Sequence, residues 1–218
     1  MKHTVMTILT AITFFNGSIA QAAEFDPSTK AQAVQQGLQI VEKASFDEVL
    51  IGDLDALTEV NHIYIAELNT ADLSIDKPSS TRTIAKDWEL DQQEIQGLQA
   101  LYIKTVSKKL ALKGNFNIVD RPTENSLNIY ASLVHLDPIA PRDNFESRGF
   151  QERYFTQGSG EMTVSFKVDY QGETVLLAID EITAGNNWIE NKQFNNKHNA
   201  RTVFSRLAGR LGKQLDLI

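Results

Sequence analysis

The chain has 218 residues, of which 42% are hydrophobic and 22% are charged, with a formal net charge of -7 and no cysteine. This composition excludes a disordered or fibrous chain, a disulfide framework, a thiolate metal site and a cysteine nucleophile. The net negative charge argues against nucleic acid as the partner, because a phosphate backbone attracts basic surfaces. The length is sufficient for one globular domain with its own core.

The N-terminal segment has the three-part layout of a secretory signal peptide. Lys2 gives a basic start, residues 5–15 form a short apolar run, and small residues precede the expected cleavage site. We therefore predict a cleaved signal over residues 1–22 and a single mature domain over residues 23–218, exported to the periplasm. No later segment is apolar over the roughly 20 residues that a membrane span requires, so the mature protein is predicted to be soluble.

Hydrophobic periodicity divides the first part of the mature chain into helices and a strand. Apolar residues at helical spacing predict a helix over residues 29–44, weakly interrupted by Gly37. Residues 46–57 show no clean period and are interpreted as loop or turns. The β-branched and aromatic run over residues 62–68 predicts a strand.

The second predicted helix is bounded by signals at both ends. Asp91 and Glu94 have the spacing of a capping box, and an apolar stripe runs from Ile95 to an expected stop at Gly114. A short strand over residues 116–119 is predicted to follow this helix.

The C-terminal half is predicted to be mainly antiparallel strands followed by a helix. Alternation predicts a strand over residues 127–136 and a hairpin over residues 162–183, with its turn at Gln171–Glu173. The final helix, over residues 197–217, has a buried stripe of Val203, Phe204, Leu207, Leu211 and Leu215. This order predicts an α+β domain, a mainly antiparallel sheet with helices packed on one face.

Established catalytic and metal-binding motifs are absent from the sequence. It contains no HExxH, no GxSxG nucleophile elbow, no phosphate-binding loop and no calcium loop. We therefore predict no metal and no cofactor, and we favour a non-enzyme. The alternative is a base and its orienting carboxylate at His135 and Asp137, because residues two apart on a strand face the same side. The carboxylates of Asp169, Asp180 and Glu181 are interpreted as a charged sheet surface.

Basic residues supply the better candidates for a contact surface. The last helix carries Arg201, Arg206, Arg210 and Lys213 beside its apolar stripe, a positive patch that suits an anionic lipid headgroup, a glycan or an acidic protein. The long excursion over residues 137–157 interleaves arginine with aromatic side chains, which is typical of contact surfaces. Its candidate contact residues are Arg142, Phe145, Arg148, Phe150, Arg153, Tyr154 and Phe155.

Four segments carry a family resemblance over about two-thirds of the chain: residues 116–122, the strand over 127–136, the hairpin after it, and the amphipathic last helix. With these segments the chain resembles the Gram-negative envelope family catalogued as domain of unknown function 3313. The resemblance implies an exported fold of this type and an envelope location, but no reaction, because the family has no assigned activity. Its members are commonly lipoproteins, and without cysteine a lipid anchor does not carry over.

Three hypotheses of function are compatible with these features. The leading one is a periplasmic, non-enzymatic binding or assembly-accessory protein of the bacterial cell envelope, with an envelope protein or an anionic lipid or glycan as its partner. The second is a small periplasmic hydrolase that uses His135 and Asp137. The third is an auxiliary subunit of an envelope lipid-trafficking assembly. Ligand identity, strand order and a homo-oligomeric state stay open at this level.

Overall fold

The structure, a computed structural model, describes residues 22–76, 89–114, 116–137, 160–184 and 193–215. Within these ranges the helices are α1 (Pro27–Gln35), α2 (Gln92–Gly114) and α3 (Gln193–Gln214), and a short 3-10 helix spans Asp55–Glu59. The strands are β1 (Gln39–Ile40), β2 (Glu48–Ile51), β3 (His62–Ile65), β4 (Ser74–Ile75), β5 (Asn117–Val119), β6 (Ser126–Asp137), β7 (Gly160–Tyr170) and β8 (Glu173–Ala184). None of these helices is both long enough and apolar enough to cross a lipid bilayer.

The eight strands form one mixed sheet in the order β1-β2-β8-β7-β6-β3-β5, and β4 also pairs with β6. The run from β1 to β6 is antiparallel throughout. Strand β3 lies parallel to both β5 and β6, and β4 continues the parallel pairing along β6. The prediction of an α+β fold with a mainly antiparallel sheet is therefore confirmed.

Helices α2 and α3 cover one face of the sheet, and the main core lies beneath them. The predicted stripe of α3 is buried there along its whole length, together with alternate residues of β6 and β7, such as Ile129 and Phe166. Val49 of β2 joins this core, whereas the adjacent Leu50 packs with Ala33 of α1. Because consecutive strand residues point to opposite faces, the short helix α1 covers the other face at the β1–β2 edge.

Helix α1 is shorter than the sequence predicts. It ends at Gln35, because Gly37 adopts a φ of +93° and the Leu38 N–H donates to the Ala33 carbonyl at 3.1 Å. A left-handed glycine followed by an N–H that donates to a carbonyl of the last helical turn is a common C-cap that ends a helix. The predicted continuation of this helix to residue 44 is therefore wrong. The interpretation of residues 46–57 as loop is also wrong in part, since they contain β2 and the start of the 3-10 helix.

Local signals elsewhere are confirmed by hydrogen bonds and dihedral angles. Asp91 and Glu94 form the capping box, in which each side chain accepts the other residue's N–H, at 2.8 and 2.9 Å. Gln171 and Gly172 have φ values of 52° and 85°. Two consecutive left-handed residues match the right-handed twist of the flanking strands, so they join β7 to β8 in a tight hairpin.

Tyr102 is a polar side chain in the middle of the apolar core. Its ring packs edge-on against Phe204, with the ring centroids 5.4 Å apart, and so joins α2 to α3. The side chain is fully buried, and its hydroxyl has no hydrogen-bond partner in the part of the chain that the structure describes. Burial raises the pKa of the Tyr102 hydroxyl above its ordinary value.

We expect Tyr102→Phe to raise the free energy of unfolding by about 1 kcal/mol, because a hydroxyl buried without a partner costs about 1–3 kcal/mol in lost hydration. Urea denaturation followed by circular dichroism measures this change. The same substitution at the exposed Tyr130 is the control and should alter stability by less than about 0.5 kcal/mol. A loss of stability in Tyr102→Phe would show that the hydroxyl is hydrogen-bonded in solution.

Candidate functional site

A basic cleft opens between α2, α3 and the loop that joins β1 to β2. It encloses about 550 Å³, and the seven residues that line and define it are Ser45, Lys109, Ser205, Arg206, Gly209, Arg210 and Lys213. Four of them are cationic, and no described carboxylate belongs to the lining. The cleft is therefore a concentrated positive site on an acidic chain.

Helical spacing explains why α3 contributes most of this lining. Arg206, Arg210 and Lys213 are four and three residues apart, so they lie on one side of the helix. Helix α2 contributes Lys109, whose side chain lies close to Gly209 of α3. A Cβ placed on Gly209 would lie 3.5 Å from Lys109 Cε, so the two helices are in direct contact at this point.

One buried carboxylate ties two walls of the basic cleft together. Asp180 of β8 has only 1% of its side chain exposed, and its Oδ2 accepts a hydrogen bond from the Arg210 guanidinium. Its Oδ1 accepts the backbone N–H of Asp47 at 3.2 Å. Asp47 is two residues from Ser45, so Asp180 holds both the helix and the loop in place.

Burial raises the pKa of Asp180 to about 6, Arg210 opposes the rise, and the nearby charge of Asp47 adds to it. The interpretation of Asp180 as part of a charged sheet surface is therefore wrong. Alternation along β8 places Asp180 on the same face as Ala178 and Ile182, and both of these side chains belong to the main core.

The remaining cations of the basic cleft have no carboxylate partner in the described ranges. Arg206 donates to the Thr183 carbonyl at 3.3 Å, and neither Lys109 nor Lys213 forms an ion pair there. The helix dipole accounts for Lys213, because it favours cations in the last turn of a helix. It does not account for Arg206, which lies about two turns before the end of α3.

The predicted contact residues divide into three groups. Arg206 and Arg210 line the basic cleft. Arg201 is exposed on the same helix but lies outside the cleft. It precedes Arg206 by five residues, which corresponds to a rotation of about 140° around the helix axis. The predicted residues of the excursion lie outside the described residues; they are Arg142, Phe145, Arg148, Phe150, Arg153, Tyr154 and Phe155.

A second cluster surrounds His135 on the sheet face opposite α2 and α3. A register shift between Leu133 and His135 turns Leu136 toward the core and His135 away from it. His135 Nδ1 lies 2.9 Å from Ser74 Oγ, and its Nε2 lies 3.6 Å from Asp76 Oδ2. Sequence reasoning missed Ser74 and Asp76 as neighbours, because they come from a strand about 60 residues earlier.

The hydrogen bonds of Ser74 argue against its activation as a nucleophile. Its hydroxyl donates to the Val134 carbonyl at 3.1 Å. A serine hydroxyl has a single proton, so Ser74 Oγ is left as an acceptor toward the His135 ring. A general base would have to accept that proton instead.

Asp137, the predicted partner of His135, interacts with it through charge rather than through a hydrogen bond in the described structure. Burial and the charge of Asp76 raise the pKa of Asp137, and His135 opposes the rise. Burial and the charges of Glu181 and Asp137 likewise raise the pKa of Glu161. No three His, Asp or Glu side chains in the described ranges are arranged to hold a metal ion.

Comparison with known proteins gives no family assignment. No family model and no curated protein matches the chain. Among solved structures, the PelC dodecamer from Paraburkholderia phytofirmans is similar at 10% identity and a TM-score of 0.40, over 74% of this chain and 96% of that one. A single-substitution PelC variant from the same organism gives 10% identity and a TM-score of 0.32, over 68% and 86%. Likenesses this weak establish neither a family nor a function.

Proposed function

We propose that the protein is an exported, periplasmic binding or assembly-accessory protein of the cell envelope, without catalytic activity, and that the basic cleft is its contact site. The observation that carries this proposal is the convergence of Lys109, Arg206, Arg210 and Lys213 on one cleft in a chain of net charge -7. Clustered like charges repel one another in the folded state, and a bound anion removes that repulsion.

The chemistry of the basic cleft suits an anionic partner. Arginine presents a planar set of donors that matches carboxylate and phosphate oxygens, and Arg210 is already oriented by Asp180. The hydroxyls of Ser45 and Ser205 add neutral donors at the same place. The partner is therefore the acidic surface of an envelope protein, or an anionic lipid or glycan, and the excursion from Arg142 to Phe155 is proposed as a second contact.

The test compares Arg206→Gln with Arg201→Gln, which make the same change in charge on the same helix, inside and outside the basic cleft. The probes are an acidic peptide, an anionic glycan and anionic phospholipid vesicles. We expect wild type to bind at least one of them, and Arg201→Gln to bind that probe with the same affinity as wild type. Arg206→Gln should bind the same probe roughly tenfold more weakly, as expected for the loss of one charge-assisted hydrogen bond. Equal binding by both variants, or no binding of any probe by wild type, contradicts the proposal.

The second candidate function is a small hydrolase, favoured by the 2.9 Å contact between His135 and Ser74. Activity profiling against esters, glycans and phosphoesters tests it. Activity that disappears in His135→Ala, while the variant keeps the wild-type melting temperature, would replace the binding proposal with a catalytic one. The donation of the Ser74 hydroxyl to the Val134 carbonyl is the reason that we place this candidate second.

A further inference from the structure

We infer that the basic cleft binds the phosphate of an anionic lipid headgroup, and that Leu112 enters the membrane surface beside it. This inference rests on the proposed function and deepens it by naming the class of ligand. It requires three properties in one place: a group of cations, donors suited to phosphate, and an exposed apolar side chain next to them.

The arrangement of α2 and α3 brings these properties to one end of the molecule. Tyr102 contacts Phe204, and Lys109 lies against Gly209. The contact nearer the start of α2 involves the residue nearer the start of α3, and the later residue of α2 contacts the later residue of α3. The two helices therefore run in the same direction. Their C-terminal ends, with Lys109 on one and Lys213 on the other, therefore lie at the same end of the fold.

Leu112 is the apolar element at this end. It has 73% of its surface exposed, more than Ile40 or Val34, the next two large exposed hydrophobic residues of the described chain. It follows Lys109 by three positions, so the two side chains lie on the same side of α2, about one turn apart. Val34 of α1 and Ile40, which pairs with Leu50, lie on the other face of the sheet. At a lipid interface, apolar side chains such as leucine enter the headgroup boundary, while lysine and arginine side chains near them attract anionic lipids.

The polar donors favour phosphate over a single carboxylate. The buried Asp180 fixes the Arg210 guanidinium while leaving that side chain 39% exposed at the cleft. Arg206, Lys109 and Lys213 add three cations without a described carboxylate partner. A phosphate has more acceptor oxygens than a carboxylate, and it accepts from several donors converging on one point. Clusters of basic residues bind anionic membrane surfaces with about 1 kcal/mol for each cation.

The experiment measures sedimentation of the purified protein with vesicles of phosphatidylcholine alone, phosphatidylcholine with phosphatidylglycerol, and phosphatidylcholine with oleate at the same surface charge. We expect binding to the phosphatidylglycerol vesicles to exceed binding to either other type by at least roughly tenfold, and to weaken as salt is raised. Arg206→Gln should weaken it roughly tenfold, and Leu112→Ser should weaken it by about fivefold.

Two matched variants separate these effects from nonspecific ones. Arg201→Gln removes a cation outside the basic cleft, and Val34→Ser removes an exposed apolar side chain on the other face of the sheet; both should bind vesicles as wild type does. Circular dichroism melting confirms that all four variants are folded. Binding that Leu112→Ser leaves unchanged would overturn the membrane-entry role of Leu112, and equal binding to oleate vesicles would overturn phosphate recognition.

A separate arm distinguishes this inference from the proposed function. Inorganic phosphate, an acidic peptide and an anionic glycan are titrated in solution without vesicles. If one of these binds and depends on Arg206, while no vesicle binds, the lipid inference is overturned and the anion-contact proposal stands. If neither vesicles nor solution probes bind, both are overturned.

Discussion

Arg210→Met is expected to lower the free energy of unfolding by about 2–3 kcal/mol at pH 7. The substitution keeps most of the aliphatic chain but removes the cation that pairs with Asp180, whose carboxylate is 1% exposed. A buried carboxylate without its partner takes up a proton rather than stay charged. The loss of stability in Arg210→Met therefore has two parts. One is the lost hydrogen bond between Arg210 and Asp180, and the other is the free energy needed to keep the Asp180 carboxyl protonated at pH 7.

The penalty in Arg210→Met should depend on pH in a defined way. Near pH 5 the Asp180 carboxyl is mostly protonated in both proteins, and the difference shrinks to about 1 kcal/mol for the hydrogen bond. Above pH 6 it grows by about 1.4 kcal/mol for each pH unit, as long as the unpaired carboxyl stays protonated. Urea denaturation at pH 5, 7 and 8 measures the three values.

Two further variants control this result. Arg201→Met makes the same substitution at an exposed position and should change stability by less than about 0.5 kcal/mol. In the double variant Asp180→Asn/Arg210→Met the buried charge is absent, so most of the loss should be recovered. Equal stability of Arg210→Met and Arg201→Met at pH 8 would mean that Asp180 is hydrated rather than buried.

The second large effect is expected for Asp180 itself. Its pKa is raised to about 6 from an ordinary 3.8, so the folded state holds the proton more tightly than the unfolded chain does. Stability from this group is fully present below about pH 4 and is lost as the pH rises through 6. Relative to Asp180→Asn, which resembles the protonated form, the wild type should lose up to about 3 kcal/mol between pH 4 and pH 7.

Guanidinium denaturation of both proteins at intervals between pH 4 and pH 7.5 gives this difference. Other carboxylates titrate in the same range, but most of their contributions cancel between wild type and Asp180→Asn. A difference that moves the other way, with wild type gaining stability as the pH rises, would show that attraction to Arg210 exceeds the cost of burial and that the pKa is lowered.

The elements that the sequence predicts well are those with strong local signals. Helix α2 has a capping box at Asp91, the β7–β8 hairpin has a left-handed turn at Gly172, and α3 has an uninterrupted apolar stripe. The order of the strands is not local information. The insertion of β3 in parallel between β6 and β5 depends on pairings such as His62 with Ser126 and His62 with Asn117, which are far apart in the sequence. Nothing in the alternation of β3 specifies them.

Only part of the basic cleft could be predicted from the sequence, because only part of its lining comes from one continuous element. Arg206 and Arg210 lie on one helical face at a spacing that the sequence shows directly. Lys109 and Ser45 come from distant elements, and their sequence neighbourhood suggested only a helix C-terminus and a loop. The position of Asp180 was available in principle, because the alternation of β8 puts it in step with Ala178. Because aspartate is charged, Asp180 was predicted to lie on the sheet surface despite this alternation.

The short outer strands of the sheet have a consequence for the behaviour of the protein at high concentration. In the described structure, β1 at one edge has two residues and β5 at the other has three. Each of these two end strands therefore offers few unpaired backbone groups to a second copy, which is a common protection against edge-to-edge aggregation. If this protein assembles with itself, we expect the copies to meet through side-chain surfaces, and the sheet should end within each subunit.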